Sequence, residues 1–190
     1  MDAQIAEFKR TLKKAHLAGT LVGVERVDLA DGLIVGFVAG CGPDWLALDV
    51  VDQSVRIDGV TCLAYADLSY VEAPPPGADF TLKALRALGV ERPTGLDVDL
   101  TSLETLLRTA GSLYPVLTIS AEGSEPDSCW IGRVAAVNRH LLTVKLINTE
   151  AEWEDEPEEF GLDEITRVDF GTLYERALVL VGGDGGFRYN

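Results

Sequence analysis

Gly36-Phe-Val-Ala-Gly-Cys-Gly-Pro-Asp-Trp-Leu-Ala-Leu48 is the stretch on which the reading of this chain turns. It lines up without a gap with Gly132-Arg-Val-Ala-Ala-Val-Asn-Arg-His-Leu-Leu-Thr-Val144, 96 residues further on. Both stretches run Gly-x-Val-Ala, then turn formers, then an apolar alternation of period two, which is the pattern of a β-hairpin. Leu68-Ser-Tyr-Val-Glu72 also matches Ile165-Thr-Arg-Val-Asp169, at an offset of 97. Self-similarity at a fixed spacing predicts an internal repeat, with one unit built twice.

Working outward, Ile5, Phe8, Leu12 and Ala15 fall on one face of a helix over residues 2–17. The period then changes to that of strands, predicted over 21–27, 33–39, 45–51, 55–64 and 68–71. Pro74-Pro-Pro-Gly77 ends this ladder, because proline has no N–H to donate. A short helix over 81–88 and a linker to residue 99 follow. Thr101-Ser-Leu-Glu104 reads as a capping box. It opens a helix with the stripe Leu103, Leu106, Leu107 and Ala110, and Gly111 reads as its stop. Strands are predicted over 116–120, 129–136, 141–148, 160–162 and 165–170, and 173–181 reads as a helix or a strand. The expected class is α+β, mainly β. The expected organisation is a first domain 1–73, a Pro-rich and helical linker 74–99, a second domain 100–181 and a flexible tail 182–190.

A helix followed by five short, bent strands with a central Gly-x-Val hairpin resembles the Sm-like small barrel. The residues carrying the resemblance are Gly36-Phe-Val with Trp45-Leu-Ala-Leu48, Gly132-Arg-Val with Leu141-Leu-Thr-Val144, and the closing stretches 68–72 and 165–169. The resemblance implies two tandem Sm-like five-stranded small barrels, each preceded by an N-terminal helix. It also implies RNA binding on oligomeric rings. Where that family carries Ile-Arg-Gly before its last strand, this chain has Asp67-Leu-Ser-Tyr70 and Glu164-Ile-Thr-Arg167. An RNA-binding regulator therefore stands as the alternative reading.

Charge argues in another direction. The 190 residues carry 16 Lys and Arg against 31 Asp and Glu, a net charge of −15. Such a field repels phosphate backbones and anionic membrane surfaces and attracts a basic protein. The N-terminal stretch has no signal-type apolar core, and no apolar run approaches the roughly 18 residues of a membrane helix. Cys41, Cys62 and Cys129 are odd in number and lack metal-site spacing, so reduced thiols in the cytoplasm are expected.

Catalytic motifs are not evident. Asp97-Val-Asp-Leu-Thr101 fits the Asp-x-Asp-x-Thr pattern of haloacid-dehalogenase-type phosphatases, but Arg92-Pro-Thr-Gly95 stands where a buried strand should precede it. A linker and a helix cap explain it better. His16 and His140 lie in no zinc-binding pattern, and a Cys129–His140 pair lacks further ligands. No catalytic residue, metal or cofactor is expected, and an enzyme with an unrecognised site is the remaining alternative. The candidate site is the acidic run Glu150, Glu152, Trp153, Glu154, Asp155, Glu156, Glu158 and Glu159. Its carboxylates would steer a basic partner and its tryptophan would anchor it. The competing reading is a solvated loop whose Trp153 folds back. The expected function is non-catalytic protein binding, of immunity or inhibitor type, to a basic protein or by self-association.

Overall fold

Residues 2–186 are described by a computed structural model, in which the chain divides into two units, Met1–Leu96 and Asp97–Asn190. The last four residues of the expected tail, 187–190, lie outside the described residues. The first unit runs α1 (Asp2–Ala18), β1 (Leu21–Arg26), β2 (Ala30–Cys41), β3 (Trp45–Val51), β4 (Ile57–Ala64), β5 (Tyr70–Glu72) and α2 (Ala78–Ala87). Its antiparallel strands lie in the order β5-β1-β2-β3-β4. Residues 74–96, read as a linker, belong to this unit.

Alternation along the strands supplies two buried faces. Val22, Val24, Leu46 and Leu48 meet Leu12 and Ala15 of α1 on one side. Leu21 and Phe37 meet Ala78 and Leu85 of α2 on the other. A leucine buried as fully as Leu12 or Leu48 contributes about 1.5–3 kcal/mol.

The second unit runs α3 (Leu103–Leu113), β6 (Leu117–Ser120), β7 (Cys129–Val137), β8 (Leu141–Leu146), β9 (Glu158–Gly161), β10 (Arg167–Phe170) and α4 (Leu173–Gly182). Its strands lie in the order β10-β6-β7-β8-β9. Leu142, Val144 and Leu146 alternate inward along β8. The N-cap of α3 is Ser102, boxed with Thr105, one residue beyond the Thr101–Glu104 box read from the sequence. Gly111 is not a stop but lies inside α3, where a Cβ would strike the Val134 side chain of β7. The glycine lets helix and strand approach closely.

Two expectations are corrected here. Neither unit is a closed five-stranded barrel of Sm-like type. β5 pairs only with β1 and not with β4, and β9 pairs only with β8 and not with β10, so each sheet is open. The physical reason lies at the short strands. β5 spans three residues before Pro74, and proline cannot extend a ladder. β9 spans only four, after the excursion that ends at Pro157.

The internal repeat is likewise not supported as a description of the fold. α1 has 17 residues and α3 has 11, β2 has 12 and β7 has 9, and β4 has 8 and β9 has 4. What the matched stretches report is one local constraint. Gly36 lies opposite Val50 and Gly132 lies opposite Leu146. A Cβ on either would collide with the next strand's backbone, at the carbonyl of Asp49 or of Lys145. Both strand pairs shift register just beyond, after Val38 and after Val134. A glycine followed by a bulge bends the hairpin.

Gly36→Ala and Gly132→Ala should therefore each lower stability by about 1–3 kcal/mol or more, because backbone cannot step aside as a side chain can. Urea titrations compared with the wild type check this, and unchanged midpoints would show that the strands are not held this close.

Candidate functional site

Asn148 builds the acidic excursion between β8 and β9. Its Oδ1 accepts the N–H groups of Glu150 at 2.9 Å and Glu152 at 3.0 Å. Its own N–H donates to the Glu152 carbonyl at 2.9 Å, and the N–H of Glu154 donates to the Leu146 carbonyl at 3.0 Å. Ala151, at φ 63°, makes the turn between them. The segment is thus a pinned turn. Glu150, Glu152, Glu154, Asp155, Glu156, Glu158 and Glu159 all stay exposed. Trp153 is half-buried. Its indole Nε1–H donates to the Gly182 carbonyl at 3.0 Å, and its ring packs with Val116, Ile147 and Leu178. Gly185 lies against the same ring, where a Cβ would come within 2.6 Å. Trp153 ties the excursion to the end of α4.

The orientation of α4 is set at its first turn. The Glu175 N–H donates to Thr172 Oγ1 at 3.2 Å and the Thr172 N–H donates to Glu175 Oε2 at 2.9 Å, a capping box. The Thr118 hydroxyl of β6 donates to Glu175 Oε1 at 2.7 Å. Glu175 is buried with Leu178 on the inner face. Burial pushes its carboxyl above the ordinary glutamate range, against the pull of Thr118 and Thr172.

The outer face is apolar: Leu173, Tyr174, Leu180 at 86% and Val181 at 76% exposure, with Ala177 between them. Four of the twelve exposed large hydrophobics among the described residues lie on this one helix. Its last turn carries no basic residue to offset the negative helix end.

Beside α4 lies a cleft of about 310 Å³, walled by Tyr114, Val116, Val179 and Leu180, with Glu175 at its floor. The Tyr114 ring is steadied by Phe170 at 4.7 Å between centroids, and Gly171, at φ 73°, leaves it room.

A polar cluster in the first unit plays a different part. His16 Nδ1 donates to the Val38 carbonyl at 2.7 Å, and Arg92 Nη2 donates to the same oxygen at 2.8 Å. The Arg92 guanidinium stands 4.9 Å from the Phe37 ring centre and 3.9 Å from Asp49 Oδ2. The cluster fastens residues near Arg92 to the sheet. A wider cleft of about 420 Å³ beside α1 has polar groups that already serve one another, since Lys9 binds the Pro43 carbonyl and pairs with Asp44.

The remaining sequence candidates do not converge. Asp99 Oδ1 caps the N–H of Thr101 at 2.8 Å, and Asp97 is exposed. His140 Nε2 accepts from Arg139 at 2.9 Å in the β7–β8 turn. Cys129 begins β7, so roughly 26 Å of strand separates it from that turn. Among the described residues no group of three His, Cys, Asp or Glu could hold a metal, and no helix is long and apolar enough to cross a membrane. Glu175 and Asp49 were both missed at sequence level. Thr172-Leu-Tyr-Glu175 is a capping-box signature, and Asp49 breaks the apolar run Leu46-Ala-Leu-Asp-Val.

Burial, outweighing the charges of Arg92 and His16, pushes the Asp49 carboxyl up to about 6. Unfolded, an aspartate titrates near ~3.9. Between these values the folded chain keeps a proton that the unfolded chain has lost, so stability falls as pH rises from about 4 to about 6. Asp49→Asn should remove this contribution. Its stability relative to the wild type should climb across that window and level off above it, as thermal melts between pH 4 and 8 would read. Parallel curves would refute the assignment. The chain matches no protein-family model, no curated protein and no solved structure, so its chemistry rests on its own side chains.

Proposed function

We propose that this chain is a non-catalytic protein-binding module that docks a basic partner across α4 and the acidic excursion beside it. The carrying observation is the inverted character of α4, which buries a glutamate and presents leucine, tyrosine and valine to solvent. A helix that served only the core would do the reverse. Exposed apolar patches rimmed by polar residues mark interaction surfaces.

Charge selects the partner. Trp153 holds the excursion against Gly182, so Glu150, Glu152 and Glu154 flank the helix's negative end. Cationic side chains arriving there relieve both fields at once. Two copies of a chain with net charge −15 repel, which disfavours self-association through this face. The same field disfavours nucleic acid and anionic lipid. An inhibitor or immunity role toward a basic protein in the cytoplasm fits this surface, and so does any other task met by binding alone.

Selection of random peptides displayed on phage against the full chain tests the reading. Binders should be enriched in Lys and Arg. They should weaken about tenfold or more against the Leu180→Asp/Val181→Asp variant, and weaken further as salt is raised. Binders indifferent to that variant would overturn the surface. A dimer in sedimentation that the variant dissociates would make a second copy the occupant.

A further inference from the structure

We infer that the cleft between α4 and the segment around Tyr114 receives one bulky apolar side chain of the basic partner, while the partner's cations settle at the C-terminal end of the helix. The inference rests on the docking face proposed above and adds what occupies its deepest point.

The cleft's size limits its occupant. At about 310 Å³ it lies at the lower end of small-ligand pockets, which span roughly 300–1,000 Å³. It suits a single large side chain better than an extended cofactor. Its chemistry limits the occupant further. Tyr114, Val116, Val179 and Leu180 offer carbon. Glu175 is already engaged. Its two oxygens already accept from Thr118 and Thr172. Arg176, also on the wall, repels a lysine or arginine that would enter. An apolar group therefore matches the cleft, and a cationic group does not.

Helical geometry then gives the partner a direction. Successive residues turn about 100° around the axis. Arg176, Val179 and Leu180 lie on one flank of α4 and border the cleft. Gly182 follows Glu175 and Leu178 along the inner side, and at this end of the helix it touches Ala151, while Gly185 beyond it touches Trp153. Ala177, Leu180 and Val181 form the exposed ridge that leads from the cleft to that end. A segment that sets its apolar anchor beside Val179 and follows the ridge toward the end of α4 brings its lysines or arginines to Glu150, Glu152 and Glu154. Interface hot spots have this form, an anchor in a desolvated pocket with a charged rim around it.

The test uses the full chain and a nine-residue probe peptide with two lysines at each end, alanine spacers, and Phe, Leu or Ala at the centre. Affinities are read by chemical-shift titration of the ¹⁵N-labelled protein. The Phe and Leu probes should bind about tenfold more tightly than the Ala probe, as burial of one large side chain implies. Val179→Trp, which fills the cleft, should erase that preference and leave weaker, salt-sensitive binding of all three. Exchanging Phe for Ala in the probe needs no variant, so a Val179→Trp chain that failed to fold would still leave the comparison. Equal affinity of the Phe and Ala probes for the wild type would overturn the cleft. So would a Phe preference that survives Val179→Trp but is lost in Leu180→Asp/Val181→Asp, and that result would leave the docking face standing. Failure of every probe to bind would overturn both.

Discussion

Glu175 must face inward for its carboxyl to reach both the Thr172 N–H and the Thr118 hydroxyl. That requirement decides the rest of α4. With residue 175 inside, residues 178 and 182 follow it on the same side of the helix, and 173, 177 and 180 are turned to solvent. The exposed leucines and valine are thus a consequence of where a polar group is held. Had Glu175 pointed outward, Leu173 or Leu180 would have had a route to the core. Instead one buried carboxyl, satisfied by two donors, orients the apolar surface. It is a costly arrangement, because burial penalises the charged carboxylate and raises its pKa.

The acidic excursion gains its meaning from the same helix. Seven carboxylates on a solvated loop would do no more than keep the chain soluble. Here Asn148 pins the turn and Trp153 joins it to Gly182. Glu150, Glu152 and Glu154 are therefore held beside the negative end of α4, whose last turn carries no basic residue, while Glu158 and Glu159 lie in β9. The tryptophan that the sequence offers as an anchor for a partner serves as an internal tie. The docking face proposed above lies on the helix next to it.

Much of this was legible before any coordinates. Strand and helix positions follow from apolar period, since Leu12, Leu48, Leu106 and Val144 all lie where alternation or helical spacing puts them in the core. Closure was not legible. Whether β4 meets β5 depends on hydrogen bonds between strands far apart in sequence, and the three residues left to β5 before Pro74 give no periodic signal. The repeat misled for a related reason. Thirteen aligned residues record how closely two strands pack at Gly36 and at Gly132, and that constraint can recur in sheets whose other elements differ in length. The acidic run was visible as composition, but its attachment was not, because the Trp153–Gly182 hydrogen bond spans 29 residues. The exposure of α4 could have been suspected from Thr172-Leu-Tyr-Glu175. A capping box fixes the phase of a helix, and here the phase sends the apolar positions outward.

The two units also differ in what they leave uncovered. In the first, α1 and α2 take opposite faces of the sheet, and the polar cluster of His16, Arg92 and Asp49 converges on Val38 and Phe37 without opening to a ligand. Its exposed apolar residues sit on several elements: Leu17 in the last turn of α1, Val27 after β1, Leu33 in β2, Tyr70 in β5, and Phe80 and Leu88 at opposite ends of α2. Single exposed side chains of this kind carry no functional meaning. In the second unit the departures from an optimal sequence gather in one place: a buried glutamate, an apolar outer face, a helix end with no basic residue in its last turn and a pinned cluster of carboxylates. Each alone would be a small loss of stability. Natural chains keep such inconsistencies mainly where something other than stability is selected, and their concentration around α4, rather than on the sheet on which it rests, is what supports the docking face proposed for that helix.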